Sequence, residues 1–397
     1  MSKDIKRIAI LVESSRAYGR GLIRGISEFA STQQDWQLLY RESRMGQHFG
    51  DWLENWQGDG IITRINSMEE AEMIANKGIP AVDLYGAFSH PAISSLDADH
   101  EAISHVAADF YAHTGISNYA YCGYPGVHFS DVRGTAFEEA VKQQHQKLHI
   151  YSSSQPAEPS ITSHEAWRSG REEEIAKWLH SLPKPVAVFA CNDVRALDVS
   201  SACRLAGIRV PEDVSIMGVD DDALICSMSI PPLTSVKPDL IRQGQRGAQI
   251  LYELMSERRT EPVTESVLPI AVIERPSTDQ IVSKYSYVVS ALRYLRSHIH
   301  KAIGVEDVAE HAGVSRSLID RAFIEELGYT VSQEIRRLRL LRIEHLLKYT
   351  DMKLAGIAQQ TGFSSSTSLS NFFKSVHGVS PGKFRETEDL RANADET

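Results

Sequence analysis

Cysteine is scarce: four residues in 397, at Cys122, Cys191, Cys203 and Cys226. They form no C-x-x-C pair and no ligand spacing with histidine, so they read as buried structural thiols rather than a disulfide frame or a thiolate metal site. Long apolar runs are missing as well. Nothing approaches the roughly 18 residues of a transmembrane helix, and the early run Ile8 to Val12 is too short for a signal sequence, so the expected location is cytoplasmic. Gly19-Arg20-Gly21 lacks its third glycine, because Arg24 stands there, and the dinucleotide fingerprint fails. His90, His128 and His164 are scattered, with no His-Glu-x-x-His, and all read as non-metal. No cofactor is expected. Asp220 and Asp221 could in principle act as acid and base, but no further group completes a defined catalytic geometry. An enzyme therefore stays the lesser alternative.

The charge that is present is unevenly placed. The chain carries a net charge of −10. Lys284 to Thr387 contains 15 Lys and Arg against 10 Asp and Glu, while the closing Glu388 to Thr397 holds one Arg and four acids. A basic segment on an acidic body localises contact with a polyanion.

That basic segment contains an internal repeat. Val305 to Gly328 (VEDVAEHAGVSRSLIDRAFIEELG) is matched by Leu354 to Gly378 (LAGIAQQTGFSSSTSLSNFFKSVHG), with Ala309 aligned to Ala358, Gly313 to Gly362 and Ser315 to Ser364, each 49 residues apart. Each copy has a small residue in its first helix, a glycine where a positive φ is needed, and a serine placed to cap the next helix. In the second helix of copy one, Ile319, Ala322, Phe323 and Leu327 form the inner stripe and leave Ser317, Asp320 and Arg321 outside. In copy two Leu369, Phe372 and Phe373 lie inside, with Ser366, Thr367, Ser370 and Asn371 outside. Short polar side chains on the outer face suit the major groove. Ser332 to Tyr349 joins the copies as a helix of about 25 Å, long enough for the two reading helices to reach successive grooves about 34 Å apart.

Upstream, short β-branched runs alternate with amphipathic helices, beginning with Ile8 to Val12 and Arg20 to Ala30. The alternation continues through the strands Trp36 to Tyr40, Gly60 to Thr63 and Pro80 to Leu84, then a long helix from Asp99 to His113. This is the pattern of parallel sheets with helices on both faces. Gln155 to Ser163 reads as a surface loop. A second α/β half follows, with strands at Ala187 to Cys191 and Val214 to Val219, a long helix from Leu240 to Met255 and a final strand from Val267 to Val272. Arg275 to Tyr285 reads as the interdomain linker. The resulting division is 1–279 for the α/β domain, 280–286 for the linker, 287–387 for the DNA-binding domain and 388–397 for an acidic tail.

Two resemblances follow from particular stretches. The repeat, with Asn371-Phe372-Phe373-Lys374 and Gly378-Val379-Ser380-Pro381-Gly382-Lys383-Phe384-Arg385, resembles the AraC-type DNA-binding domain over about a quarter of the chain. PEDVSIMGVDDDALICSMSIPPLTSVKP (Pro211 to Pro238), Ala190-Cys191-Asn192-Asp193 and Glu274 to Thr278 resemble LacI-type regulators and the related periplasmic sugar-binding proteins, from about Ile8 to Asp279. The resemblances imply a two-lobed α/β domain with a sugar in its cleft, fused to an all-α domain with two helix-turn-helix motifs. One departure matters, since LacI-type repressors carry their DNA reader ahead of the first strand and here it lies at the other end. The pairing implies a sugar-responsive regulator of a sugar-utilisation operon, acting as a homodimer on double-stranded operator DNA, with RNA polymerase as a further partner and no membrane. D-xylose is the effector implied, and another pentose or hexose stays open.

By resemblance Asp220 is the sugar-binding aspartate, and a carboxylate at the end of Val214 to Val219 can accept from two vicinal hydroxyls. Arg133, in SDVRG, matches the family's ligand-anchoring arginine, a forked donor facing those acceptors. Asn192 and Asp193 follow the preceding strand and offer an amide and a carboxylate. Arg16 and Tyr18, after the first strand, are either cleft residues or lobe surface. Phe129 or Phe88 could stack on a sugar or belong to the core, and with Arg64 they could tune the choice of sugar.

Overall fold

The computed structural model describes residues 5–33, 35–42, 50–152, 160–166, 171–279, 283–350 and 352–385. The expected acidic tail, most of the 155–163 loop and part of the linker lie outside them. By packing, the chain forms two units, 1–112 with 117–278 and 113–116 with 279–397.

The first unit holds two sheets. Its first lobe begins with β1 (Lys6–Leu11), α1 (Ala17–Ala30), β2 (Trp36–Tyr40), α2 (Gly50–Glu54), β3 (Gly60–Thr63), α3 (Met68–Ala75), β4 (Ala81–Asp83) and β5 (Ser94–Ala98). The chain then enters the second lobe through α4 (His100–Ala112), β6 (Asn118–Cys122), α5 (His128–Gln143), β7 (Lys147–Ile150), α6 (Ile161–Ala166), α7 (Arg171–Ser181) and β8 (Val186–Ala190). Its last part is α8 (Asp193–Leu205), β9 (Val214–Val219), α9 (Ala223–Met228) and β10 (Thr234–Pro238). From there α10 (Leu240–Met255) and β11 (Thr264–Val267) return to the first lobe, and β12 (Pro269–Ile273) lies in the second. The sheet orders are β11-β5-β4-β3-β1-β2 and β12-β10-β9-β8-β6-β7. All pairings are parallel except β10 with β12.

The chain therefore crosses between lobes three times, which departs from two consecutive halves. Helix α10 packs on α1 of the first lobe, not on the second sheet. The two backbones interlock through glycine: a Cβ at Gly25 would lie 2.1 Å from the Ile241 carbonyl oxygen, and one at Gly244 would lie 2.2 Å from that of Leu22. The expected single strand over Val267 to Val272 is two strands in different sheets. Pro269 has no N–H to continue a ladder, so the run breaks at the exposed Leu268 and changes lobes. Apolar periodicity marks these segments as helix and strand and carries no information on which sheet receives them.

Smaller differences have local causes. Residues 161–163 begin α6 rather than closing a loop, because Ser160 and Ser163 hydrogen-bond each other reciprocally at 2.9 and 3.1 Å. The start of the expected linker is part of the effector unit: Ser277 and Thr278 are buried, and Ser277 Oγ donates to the Ile216 carbonyl at 2.6 Å.

The second unit is helical: α11 (Ser286–His298), α12 (Val305–His311), α13 (Arg316–Leu327), α14 (Val331–Tyr349), α15 (Leu354–Gln360) and α16 (Ser366–His377). It has two small cores, and α14 serves both, giving Val331 and Ile335 to the first and Ile343 and Leu347 to the second. Gly313 and Gly362 adopt φ of 70° and 72°, as the repeat requires. The cap of α16, however, is Ser365 and not Ser364, whereas Ser315 caps α13. The second turn is thus one residue longer, so buried Ile319 and Phe323 correspond to Leu369 and Phe373, 50 residues on.

Candidate functional site

The carboxyl ends of β1, β5, β8 and β9 converge on a cleft between the lobes of the first unit, where doubly wound sheets place their ligands. Its volume is about 580 Å³, open mouth included. Arg16, Tyr18, Phe129, Arg133, Asn192, Asp193 and Asp220 all line it.

Their hydrogen bonds separate them into groups that offer polar atoms to the cleft and groups that hold others in place. Asn192 caps α8, its Oδ1 accepting from Arg195 N at 2.8 Å, which leaves Nδ2 as its donor. Arg133 is buried, donates through Nη1 to the Cys191 carbonyl, and lies with its guanidinium 5.0 Å from the Phe129 ring. Its Nε has no protein partner. Asp193 is more engaged than the sequence suggests. Its carboxylate accepts from Ser235 Oγ at 2.6 Å, from Asp222 N at 2.8 Å and from Cys226 Sγ at 3.3 Å. Burial and the Asp220 charge push its carboxyl well up, against these hydrogen bonds. Gly218 makes room for it, since a Cβ there would lie 2.3 Å from Asp193 Oδ1.

What Asp193 holds is the loop that presents Asp220. Asp220 and Asp221 both have positive φ, 111° and 50°, which non-glycine residues adopt only under constraint. Ser235 Oγ supplies part of it by accepting from Asp221 N at 3.0 Å. Asp221 is turned to structure, paired with Arg275 at 2.6 Å and Lys237 at 3.3 Å, so it does not form an acid–base couple with Asp220. Removal from water pushes the Asp220 carboxyl up to about 6, while Arg133 and Arg64 pull it down.

The first lobe contributes a rigid aromatic wall. Arg64 lies 4.8 Å from the ring of Tyr18 and 4.8 Å from that of Tyr85, and pairs with Glu13. The Tyr18 hydroxyl donates to Gln243 on α10 at 3.2 Å, and Gln243 donates to the Leu96 carbonyl at 3.0 Å. Phe88 is not part of this wall and packs against the first-lobe core instead.

Several cleft residues escaped sequence reasoning: Tyr85, Asp97, His100, Asp222 and Ile225. Asp97 lies in β5 and His100 just after it; the sequence SSLDA is short and polar, so there was no strand end from which to find them. His100 Nε2 lies 3.0 Å from Asp97 Oδ2, while its buried Nδ1 has no protein partner. Burial pulls the His100 pKa down.

In the helical unit the outer residues divide in the same way. Ser317 and Arg321 on α13, and Thr367 and Asn371 on α16, are exposed, while Ser366 and Ser370 are half-buried. Asp320 is half-buried and accepts from Val331 N at 3.1 Å, so it fixes the start of α14. Arg316, exposed at the head of α13 and paired with Glu306, was missed because the inner stripe begins only at Ile319. The arginines of α14 are tied to neighbouring segments, Arg337 and Arg339 half-buried and Arg336 and Arg342 exposed. Arg339 reaches the carbonyls of Lys301 and Ile303, Arg342 that of Gln360, and Arg337 binds Glu334 at 2.7 Å. Arg385 closes the far end of α14 on the Leu347 and Thr350 carbonyls.

Three family models match in succession: a XylR N-terminal domain over residues 7–110, a periplasmic binding protein-like domain over 108–278, and a helix-turn-helix domain over 308–387. The xylose operon regulatory protein of Escherichia coli K12 is 27% identical, with 96% of this chain and 97% of the relative covered. That of Haemophilus influenzae is 26% identical, covering 97% and 99%. Among solved structures, that of the xylose-binding transcription activator xylR is 26% identical with a TM-score of 0.61, over 98% of this chain and 99% of that one. A LacI family regulator from Enterococcus faecium with bound ribose shares the fold of the effector unit, at 20% identity and a TM-score of 0.55 over 69% of this chain and 98% of that one. With the three matched domains in this order and the likeness extending over nearly the whole length, the chain is a DNA-binding transcription regulator homologous to the xylose operon regulatory proteins.

Proposed function

We propose that the chain is a homodimeric activator of a sugar-utilisation operon and that its effector, D-xylose, binds in the cleft. The names of its full-length relatives support the choice of xylose. The observation that carries the cleft reading is chemical: acceptors on Asp220, donors on Arg133 and Asn192, and the face of Phe129 meet in one partly enclosed space, the complement of a polyol ring with one apolar face. In this reading Asp220 accepts from vicinal hydroxyls, Arg133 donates to a ring or hydroxyl oxygen, and Asp193 positions Asp220. Regulation of an operon places the protein in the cytoplasm, with RNA polymerase as a further partner on the same DNA.

Sugar draws the lobes together, and the bound state favours the arrangement in which the dimer's reading helices fit their half-sites. Titration calorimetry with D-xylose, L-arabinose, D-ribose and D-glucose tests the effector assignment. D-xylose is expected to bind most tightly, and equal affinity for all four, or heat from none, contradicts it.

A further inference from the structure

Helix α1 has no cap of its own. Arg16 occupies its N-cap position without a side-chain hydrogen bond to the first turn, and that turn contains no acidic residue. A helix start carries unpaired N–H groups and a partial positive charge, both of which call for an oxygen acceptor. The acceptor here comes from the other lobe, where Asp222 Oδ2 takes Ala17 N at 3.4 Å. Every other bond of Asp222 stays within the second lobe. Its Oδ1 caps α9 through Leu224 N at 3.1 Å and Ile225 N at 3.4 Å, and its own N–H is held by Asp193. The elements it joins both border the cleft, since Arg16 and Tyr18 stand at the head of α1 and Ile225 lies on α9.

We propose that Asp222 is the latch of the cleft, a positioning residue rather than a sugar ligand. In the shut arrangement its carboxylate caps α1 across the interlobe gap, which stabilises closure and sets Arg16 and Tyr18 over the bound molecule. Opening leaves the start of α1 uncapped, so the shut state is favoured even before ligand enters. The proposal shares the sugar reading of the cleft only for its effect on affinity, because closure can be measured without sugar.

The two tasks of Asp222 separate by side-chain length. Asp222→Ser retains a good N-cap for α9 but cannot reach Ala17, whereas Asp222→Asn keeps the reach and the acceptor without the charge. The four native cysteines are buried, so dyes can be placed selectively on Glu69→Cys in the first lobe and Gln143→Cys in the second. In the sugar-free full chain, energy transfer between the dyes should report a more open distribution for Asp222→Ser, with Asp222→Asn between it and the parent. Each sugar that binds should then bind Asp222→Ser roughly three- to tenfold more weakly, by a similar factor whatever its hydroxyl pattern. A distance distribution identical to the parent's overturns the latch, and so does a loss confined to sugars with one hydroxyl configuration, which would make Asp222 a direct ligand. If none of the sugars binds, the effector assignment falls while the distance measurement still decides the latch.

Discussion

Asp220 combines a strained backbone, a carboxyl raised to about 6 and a loop braced from below by Asp193 and Ser235. Such strain persists only where surrounding bonds over-determine it. Asp220→Ala should abolish the sugar response and leave basal operator binding intact, as read by calorimetry and by gel shift. Because the folded-state pKa lies above the usual carboxylate value, folding favours protonated Asp220, and its contribution to stability is greatest at low pH and declines as pH rises towards 6. On the proposed reading, a sugar hydroxyl donates to the carboxylate and reverses that preference. Binding near pH 6 should therefore release protons, seen as a dependence of the calorimetric heat on buffer ionisation enthalpy, and affinity should fall below that pH. On the reading face, Arg321→Ala should relax base preference in one half-site by about 1 to 3 kcal/mol. An equal loss on all sequences would make Arg321 a phosphate contact.

The two glycine turns of the helix-turn-helix repeat have nearly the same φ and different surroundings. A Cβ at Gly313 meets nothing within 4 Å, while one at Gly362 would lie 2.2 Å from the Lys301 carbonyl oxygen. Gly313→Ala should cost about 1 to 2 kcal/mol, the ordinary penalty for a left-handed residue. Gly362→Ala should cost more, because it also drives the second motif away from the loop that Arg339 ties to it. Thermal melts of the two variants test the difference, and equal losses would contradict it. The sequence announces both glycines through the repeat, yet not this contact, which depends on α14 bringing distant segments together. Likewise the alternation of strands and helices revealed two sheets, and α10, β11 and β12 were assigned to the wrong course because apolar periodicity does not say which sheet a segment joins. The cleft residues found beforehand stand beside recognisable strands or in motifs, as Asp220 and Asn192 do. Of those missed, Asp97 and His100 belong to β5 and its end, whose polar sequence hides it, whereas Tyr85, Asp222 and Ile225 follow recognisable strands and carry no motif of their own.

For the whole molecule, the proposed function makes sugar and DNA two ligands of one conformational equilibrium. Thermodynamic linkage requires the coupling to be reciprocal, whatever structural path carries it, and an ordinary coupling of about 1 to 3 kcal/mol corresponds to a change of roughly 5- to 150-fold in each affinity. Part of the basic character of the DNA-binding segment is engaged within the helical unit, since Arg337, Arg339 and Arg385 are half-buried and hold it together, while Arg336 and Arg342 stay exposed on α14. On the proposed reading, sequence discrimination is the task of the exposed groups of α13 and α16, among them Ser317, Arg321, Thr367 and Asn371. The most direct test is to titrate the full chain with D-xylose by calorimetry, with and without a DNA fragment from upstream of its own gene, and to measure the affinity of that DNA with and without the sugar. Tighter xylose binding in the presence of DNA and tighter DNA binding in the presence of xylose, by the same factor, are expected. Xylose affinity that is unchanged by bound DNA would contradict the proposed function.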